Sequence, residues 1–189
     1  GARAELDEVP EQVWAQEDHG IEGLHVMAGH NGYAPTHGMT HIRDLHLSVD
    51  GRRLDGTDTL GAMTGEDKKR FDKIMQRLNM QGIDFDIRFH LHPDVDAALD
   101  MGGTAVSLAL KSGEIWVFRH DGVGELKLEP SVYLESGRLK PRATRQIVLS
   151  GIVVDQACQL SWTLAKAQDT PAAIRDTEQD DPLSLTQGN

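Results

Sequence analysis

Cysteine is almost absent from this chain: Cys158 stands alone among 189 residues, so no intrachain disulfide can form and the redox compartment stays open. Its place in an apolar–polar alternation reads as a small buried hydrophobe, not a nucleophile. Positive charge is short as well. With 19 Lys and Arg against 30 Asp and Glu, the formal net charge is −11, which argues against nonspecific binding to nucleic acid or to an anionic membrane surface. No apolar run approaches the roughly 18 residues of a membrane span, and no signal-peptide pattern is present. Gly122-Val123-Gly124 lacks the following helix that would aim its amides at a phosphate, and no hydrolase nucleophile elbow is found. Internal repeats and low-complexity blocks are missing too.

What is there is alternation. In Ile83-Asp84-Phe85-Asp86-Ile87-Arg88-Phe89-His90-Leu91-His92-Pro93 the apolar residues fall on every second position, the signature of a half-buried strand, and Pro93 stops its ladder. Further strands are expected at 21–28, 39–49 and 52–60, the last two joined through the Asp50-Gly51 hairpin signal. Within 39–49, His41, Arg43, Leu45 and Leu47 share one face and Ile42, Asp44 and His46 the other, so neither face is cleanly apolar. The segment from His30 to Gly38 carries turn formers and reads as a loop. Between Gly61 and Gly82 the rhythm changes: Phe71, Ile74, Met75 and Leu78 recur at helical spacing after a Thr64-led acidic opening, which suggests one short amphipathic helix, with a mobile polar loop as the alternative. Strand candidates then follow at 104–110, 114–119, 125–129, 131–134, 145–154 and 157–167. The fold class expected is all-β, an antiparallel β-sandwich with one short inserted helix. Residues 1–20 read as a loosely docked lead-in, 21–167 as the sandwich domain and 168–189 as a disordered tail too polar to order itself. The start at Gly1, without Met, suggests a piece of a longer chain.

The candidate chemistry lies in histidine. Nine are present, clustered at His30, His37, His41 and His46 and again at His90 and His92. His90 and His92 share a strand face and could chelate one ion given a third ligand, but a zinc site needs three or four, and a wet or hydrogen-bonded polar face explains them better. Asp84 and Asp86 read as surface charge more readily than as an acid–base pair, which has to flank a cleft. Arg138, Lys140, Arg142 and Arg145 form a basic run suited either to an anionic ligand or to a protected sheet edge.

Taken in order, several stretches resemble the C-terminal part of heparinase II/III-family proteins: His30-Asn31-Gly32-Tyr33; Gly38 with His41, Arg43, Leu45 and Leu47; Asp50-Gly51, Gly56, Asp58 and Leu60; Arg88 to Pro93; Ser131 to Leu134; and Arg145 to Gly151. The resemblance implies a bacterial β-sandwich, periplasmic or cytoplasmic, packed behind an upstream α-helical toroid of the same protein. It further implies a polysaccharide lyase that cleaves uronic-acid-containing chains by β-elimination, with an acidic polysaccharide as partner. In that family the neutralising Asn and catalytic Tyr lie on the toroid, and the catalytic and metal-binding His/Asp motifs lie in earlier sandwich strands. None of these maps onto this sequence, so no catalytic residue, metal ligand or cofactor is assigned. His30, Tyr33, His41 and Arg43 are the expected substrate-binding residues, with the domain itself a scaffold and cleft wall. Asn31 stands where the family usually has Asp, and the segment from Gly61 to Gly82 is longer than usual. Two other readings compete: a non-catalytic carbohydrate-binding or interaction module, and a small metal enzyme using His90, His92 and one of His30, His37 or His41.

Overall fold

The alternating stretch becomes strand β5, Ile83–His90, with Ile87 buried and Phe85 and Phe89 packed on the same core while Asp84, Asp86, Arg88 and His90 face out. The computed structural model describes residues 9–137 and 140–167. In chain order the elements are β1 Val13–Gly20, β2 Gly23–Tyr33, the single-turn helix α1 Ala34–His37, β3 Met39–Ser48, β4 Arg53–Gly61, α2 Gly65–Arg77 and β5, followed by β6 Asp96–Asp100, β7 Ala105–Ala109, β8 Ile115–His120, β9 Glu125–Tyr133, β10 Arg142–Val153 and β11 Ala157–Lys166. An eight-stranded sheet, ordered β1-β2-β3-β4-β11-β8-β7-β6, stacks on a three-stranded sheet, β5-β10-β9. Every pairing among the described residues is antiparallel. The expected all-β sandwich is therefore the fold.

The two sheets differ in width, and that mismatch positions the site. The main core joins Ile87, Leu126, Ile147 and Leu149 of the smaller sheet to Val106, Leu108, Phe118, Leu160 and Trp162 of the larger one. None of its buried members comes from β1, β2 or β3. The inner face of β2 and β3 thus lies at the margin of the second layer, beside the outer edge of β5.

Helix α2 closes one end of that margin. Thr64 caps it: its Oγ1 accepts from the Asp67 amide at 3.1 Å while the Asp67 carboxylate accepts from the Thr64 amide at 3.1 Å, a reciprocal arrangement that satisfies two otherwise orphaned donors. Phe71 and Met75 bury against Met39 and Val153. Gly38, at φ 68°, ends α1, and a Cβ there would stand 2.3 Å from the Asp67 carbonyl, so the α1–α2 approach needs glycine. Replacing Thr64 by Ala is expected to cost about 1 kcal/mol, read as a lower denaturant midpoint at unchanged slope.

Four features differ from the sequence reading. Part of the stretch read as a lead-in, Val13–Gly20, is β1, paired residue for residue from Val13↔His30 to Gly20↔Gly23. As an outer strand it is exposed on both faces, so it carries no period-two signal. The expected loop from His30 to Gly38 is the end of β2, with a register shift between His30 and Tyr33, followed by α1 with Pro35 in its first turn. Strand β6 had no sequence signature because only Ala97 is buried in it. The two candidates around Pro130 are one strand, β9, an edge strand where proline's missing N–H costs no ladder bond. The stretch read as a disordered tail, residues 168–189, lies outside the described residues.

Candidate functional site

A cavity of about 420 Å³ opens between the inner face of β2–β4 and the edge of β5. It brings together all four residues singled out in the sequence. His30 and Tyr33 come from β2, His41 and Arg43 from β3, and β-pairing sets His30 directly opposite His41. The two imidazoles meet edge to face with centroids 5.3 Å apart, and the Tyr33 ring also lies 5.3 Å from His30. His41 and Arg43 occupy inward positions of β3 that the sequence left ambiguous: Leu45 continues the face into the core, and His41 and Arg43 make its polar end.

Asp58 of β4 organises the group. Its side chain is only 3% exposed, yet one carboxylate oxygen accepts from His41 Nε2 at 2.7 Å and from Arg43 Nε at 2.8 Å, and the other accepts from the Trp162 indole at 2.8 Å. Burial alone would push the carboxyl upward, but hydrogen bonds from His41, Arg43 and Trp162, with the Arg43 charge, outweigh it and hold Asp58 below the ordinary carboxylate range. An ionised carboxylate only accepts, so the His41 proton sits on Nε2, and Nδ1 is the ring's one site for a further proton. Arg43 spends Nε on Asp58 and lies 5.4 Å from the Phe89 ring centre, while among the described residues no carboxylate engages its two terminal nitrogens. Burial, and then the neighbouring His41, lowers the affinity of His30 for a proton. Its Nδ1 accepts from the Gly32 amide at 3.2 Å.

Asp58 was not among the expected binding residues. Its trace in the sequence is a carboxylate at period two with Leu54, Gly56 and Leu60 on an inward face; what gives it a role is Trp162, 104 positions away and reached only through the β4–β11 pairing.

The other candidates do not join this group. His90 bonds Ser131 and His92 lies against Tyr133, so each has a local partner. Asp86 accepts from Ser150 and Arg88, and Arg88 also reaches Glu129. Within the basic run, Arg142 pairs with Asp94 at 2.6 Å, and Lys111 followed by Arg142 holds that carboxyl at about 2. Arg145 donates to the Ala97 carbonyl. Arg142 thus ties β10 to the β5–β6 connection and Arg145 ties it to β6, so neither is a free anion-binding group; Arg138 lies outside the described residues. No group of three His, Cys, Asp or Glu among the described residues could hold a metal ion. Cys158 lies half-buried on the cavity wall, its thiol pushed up by burial and then by Asp121.

The family model described as "Heparinase II/III-like, C-terminal" matches residues 2–163. A curated relative, FtsZ-localized protein C of Caulobacter vibrioides (strain NA1000 / CB15N), is 27% identical over 157 residues, covering 83% of this chain and 26% of that protein. The chain therefore spans about a quarter of that relative's length. Among solved structures, a mutant of the heparan sulfate lyase HepC from Pedobacter heparinus superposes with a TM-score of 0.60 at 10% identity, over 84% of this chain and 22% of the lyase. A crystal structure of heparinase III gives 0.58 at 11% identity, again over 84% of this chain and 22% of the other. At such identities the likeness is one of fold.

Proposed function

The chain belongs to the heparinase II/III-like, C-terminal family, and from that membership we propose that its sandwich is the cleft wall of a longer polysaccharide lyase acting on uronic-acid-containing chains. The observation that carries this reading is the convergence of His30, Tyr33, His41 and Arg43 on one cavity, anchored by buried Asp58. β-Elimination removes the proton α to a uronate carboxyl and expels the glycosidic oxygen, so it needs a group that neutralises the carboxylate and holds the sugar ring still. Arg43, fixed through Nε, can aim the N–H groups of its two terminal nitrogens as a fork at a carboxylate. Tyr33 and His30 offer a flat, polar-edged surface for a sugar. The groups that take and give the proton belong to other parts of the longer protein, and this domain's share is orientation.

The test is calorimetric titration of the chain with glucuronate-containing oligosaccharides. Arg43→Ala is expected to weaken binding about tenfold, near 1.4 kcal/mol, with the circular dichroism spectrum unchanged. Undiminished binding in that variant, or none in the parent chain, would refute the reading.

A second reading, a protein-interaction module, is favoured by the curated relative's name and by the two outward carboxylates, Asp84 and Asp86, on the cleft's β5 rim. Co-sedimentation with FtsZ polymers that is lost on Asp84→Lys, without any oligosaccharide binding, would select it.

A further inference from the structure

The charge on the cleft wall poses a problem for any anionic ligand. Around the His30–His41 pair stand Tyr33 on β2, His37 on α1, Arg43 on β3, Asp58 on β4, Asp84, Asp86 and Arg88 on β5, and Cys158 on β11. Of these, Asp84, Asp86 and Arg88 turn outward on the β5 rim, so inside the cleft the Arg43 guanidinium faces the Asp58 carboxylate. Arg43 is engaged by Asp58, and Arg88 is held by Asp86 at 2.6 Å and Glu129 at 3.0 Å. With its imidazoles neutral the cleft carries no surplus of positive charge, because Asp58 offsets Arg43, and a uronate passes the rim carboxylates Asp84 and Asp86 on its way in. Only the imidazoles can change that balance near neutral pH.

The two rings are not equivalent. In His30, Nδ1 already accepts the Gly32 N–H, so a second proton there would break that bond as well as charge a half-buried ring. In His41, Nε2–H is spent on Asp58 and no described group uses Nδ1; a proton added there makes an imidazolium whose far side already faces a buried carboxylate. We propose that the cleft binds a carboxylate-bearing sugar together with one proton, which His41 takes up at Nδ1. His30 stays neutral and donates from Nε2, and Arg43 supplies the fixed charge. This deepens the polysaccharide reading and rests on it.

Proton-linked binding has a definite sign. Where the proton is already bound affinity is flat; where each ligand has to bring one, affinity falls as pH rises by up to about tenfold per pH unit for one proton. The experiment titrates the chain with an unsulfated glucuronic-acid tetrasaccharide between pH 5.5 and 8.0, in buffers of different ionisation heat. Close to one proton is expected to be taken up per ligand near the top of that range. His41→Asn should bind weakly with no pH slope. His30→Gln should lose affinity and keep the slope. His25→Asn, which removes the His25–Asp44 pair at 2.7 Å on the opposite face of the same two strands, should leave both unchanged. Should His41→Asn fail to fold, the ring-nitrogen shifts of His41 in the unaltered chain report the same event, Nδ1 gaining its proton on ligand addition at pH 7. Binding without a pH slope, or a slope that survives His41→Asn, overturns this inference and leaves the polysaccharide reading standing. No binding at any pH overturns both.

Discussion

Asp58→Ala is expected to destabilise the chain by about 3–5 kcal/mol, the range found when one partner of a buried charge pair is removed. Three donors converge on this carboxylate. Without it the Trp162 indole N–H has no acceptor in the core, Arg43 keeps its charge beside the Phe89 ring with nothing to balance it, and His41 loses the group that fixes its tautomer. Asp58→Asn separates these effects, because an amide oxygen can still accept one or two of the bonds while carrying no charge. The pH dependence follows from the direction of the Asp58 shift. A carboxyl held below its ordinary value in the folded state stabilises at every pH above the unfolded value of about 3.9, and that contribution is lost as pH falls through the folded value. The parent chain should therefore lose stability on acidification, and Asp58→Ala should lose less over the same interval. Urea midpoints at pH 7 and pH 3.5 measure both numbers. Equal acid losses in the two proteins would show that Asp58 is not the linked group.

How far such a hub can be read from sequence depends on which pairings create it. Strand β5 was legible because one of its faces packs on the core along its length, so burial wrote itself into strict alternation. The inserted helix was legible for a similar reason: Phe71 and Met75 share the face that meets Met39 and Val153, and Thr64 and Asp67 mark its start. Strands β1 and β6 sit at the two outer edges of the large sheet, bury almost nothing, and left no pattern. His30, Tyr33, His41 and Arg43 lie within 14 positions of one another on consecutive strands, so a short hairpin-like return suffices to group them. Asp58 and Trp162 meet only because β11 inserts beside β4, with Gly56 opposite Trp162 and Asp58 opposite Leu160. That order is a property of the whole sheet, which local propensity does not encode. The polar end of β3 looked like a flaw in an amphipathic strand, yet the inner face there is left at the margin of the narrower second sheet.

Gly56→Ala should be nearly as damaging as loss of the carboxylate, although it adds a single methyl group outside the cleft. A Cβ built at Gly56 falls 2.1, 2.3 and 2.6 Å from three atoms of the Trp162 ring, well inside van der Waals contact, so either the ring or β4 has to move. The ring is poorly free to do so. It stacks on Phe118 at 5.7 Å with a 21° interplanar angle, meets the edge of Phe89 at 4.8 Å, and is tethered to Asp58 at 2.8 Å. Overpacking of a filled core costs about 1–3 kcal/mol, and the added loss of the indole bond places this variant at about 3 kcal/mol. The near-ultraviolet dichroism of the aromatic cluster should weaken while the β signal in the far ultraviolet persists. A second consequence ties packing to the cleft: displacing Trp162 removes one of the three bonds that orient Asp58, so oligosaccharide affinity should fall although no cleft residue has changed. A Gly56→Ala protein with parental stability and an unaltered aromatic spectrum would mean that β4 and β11 can separate freely at this point, and that Trp162 does not hold Asp58 in place.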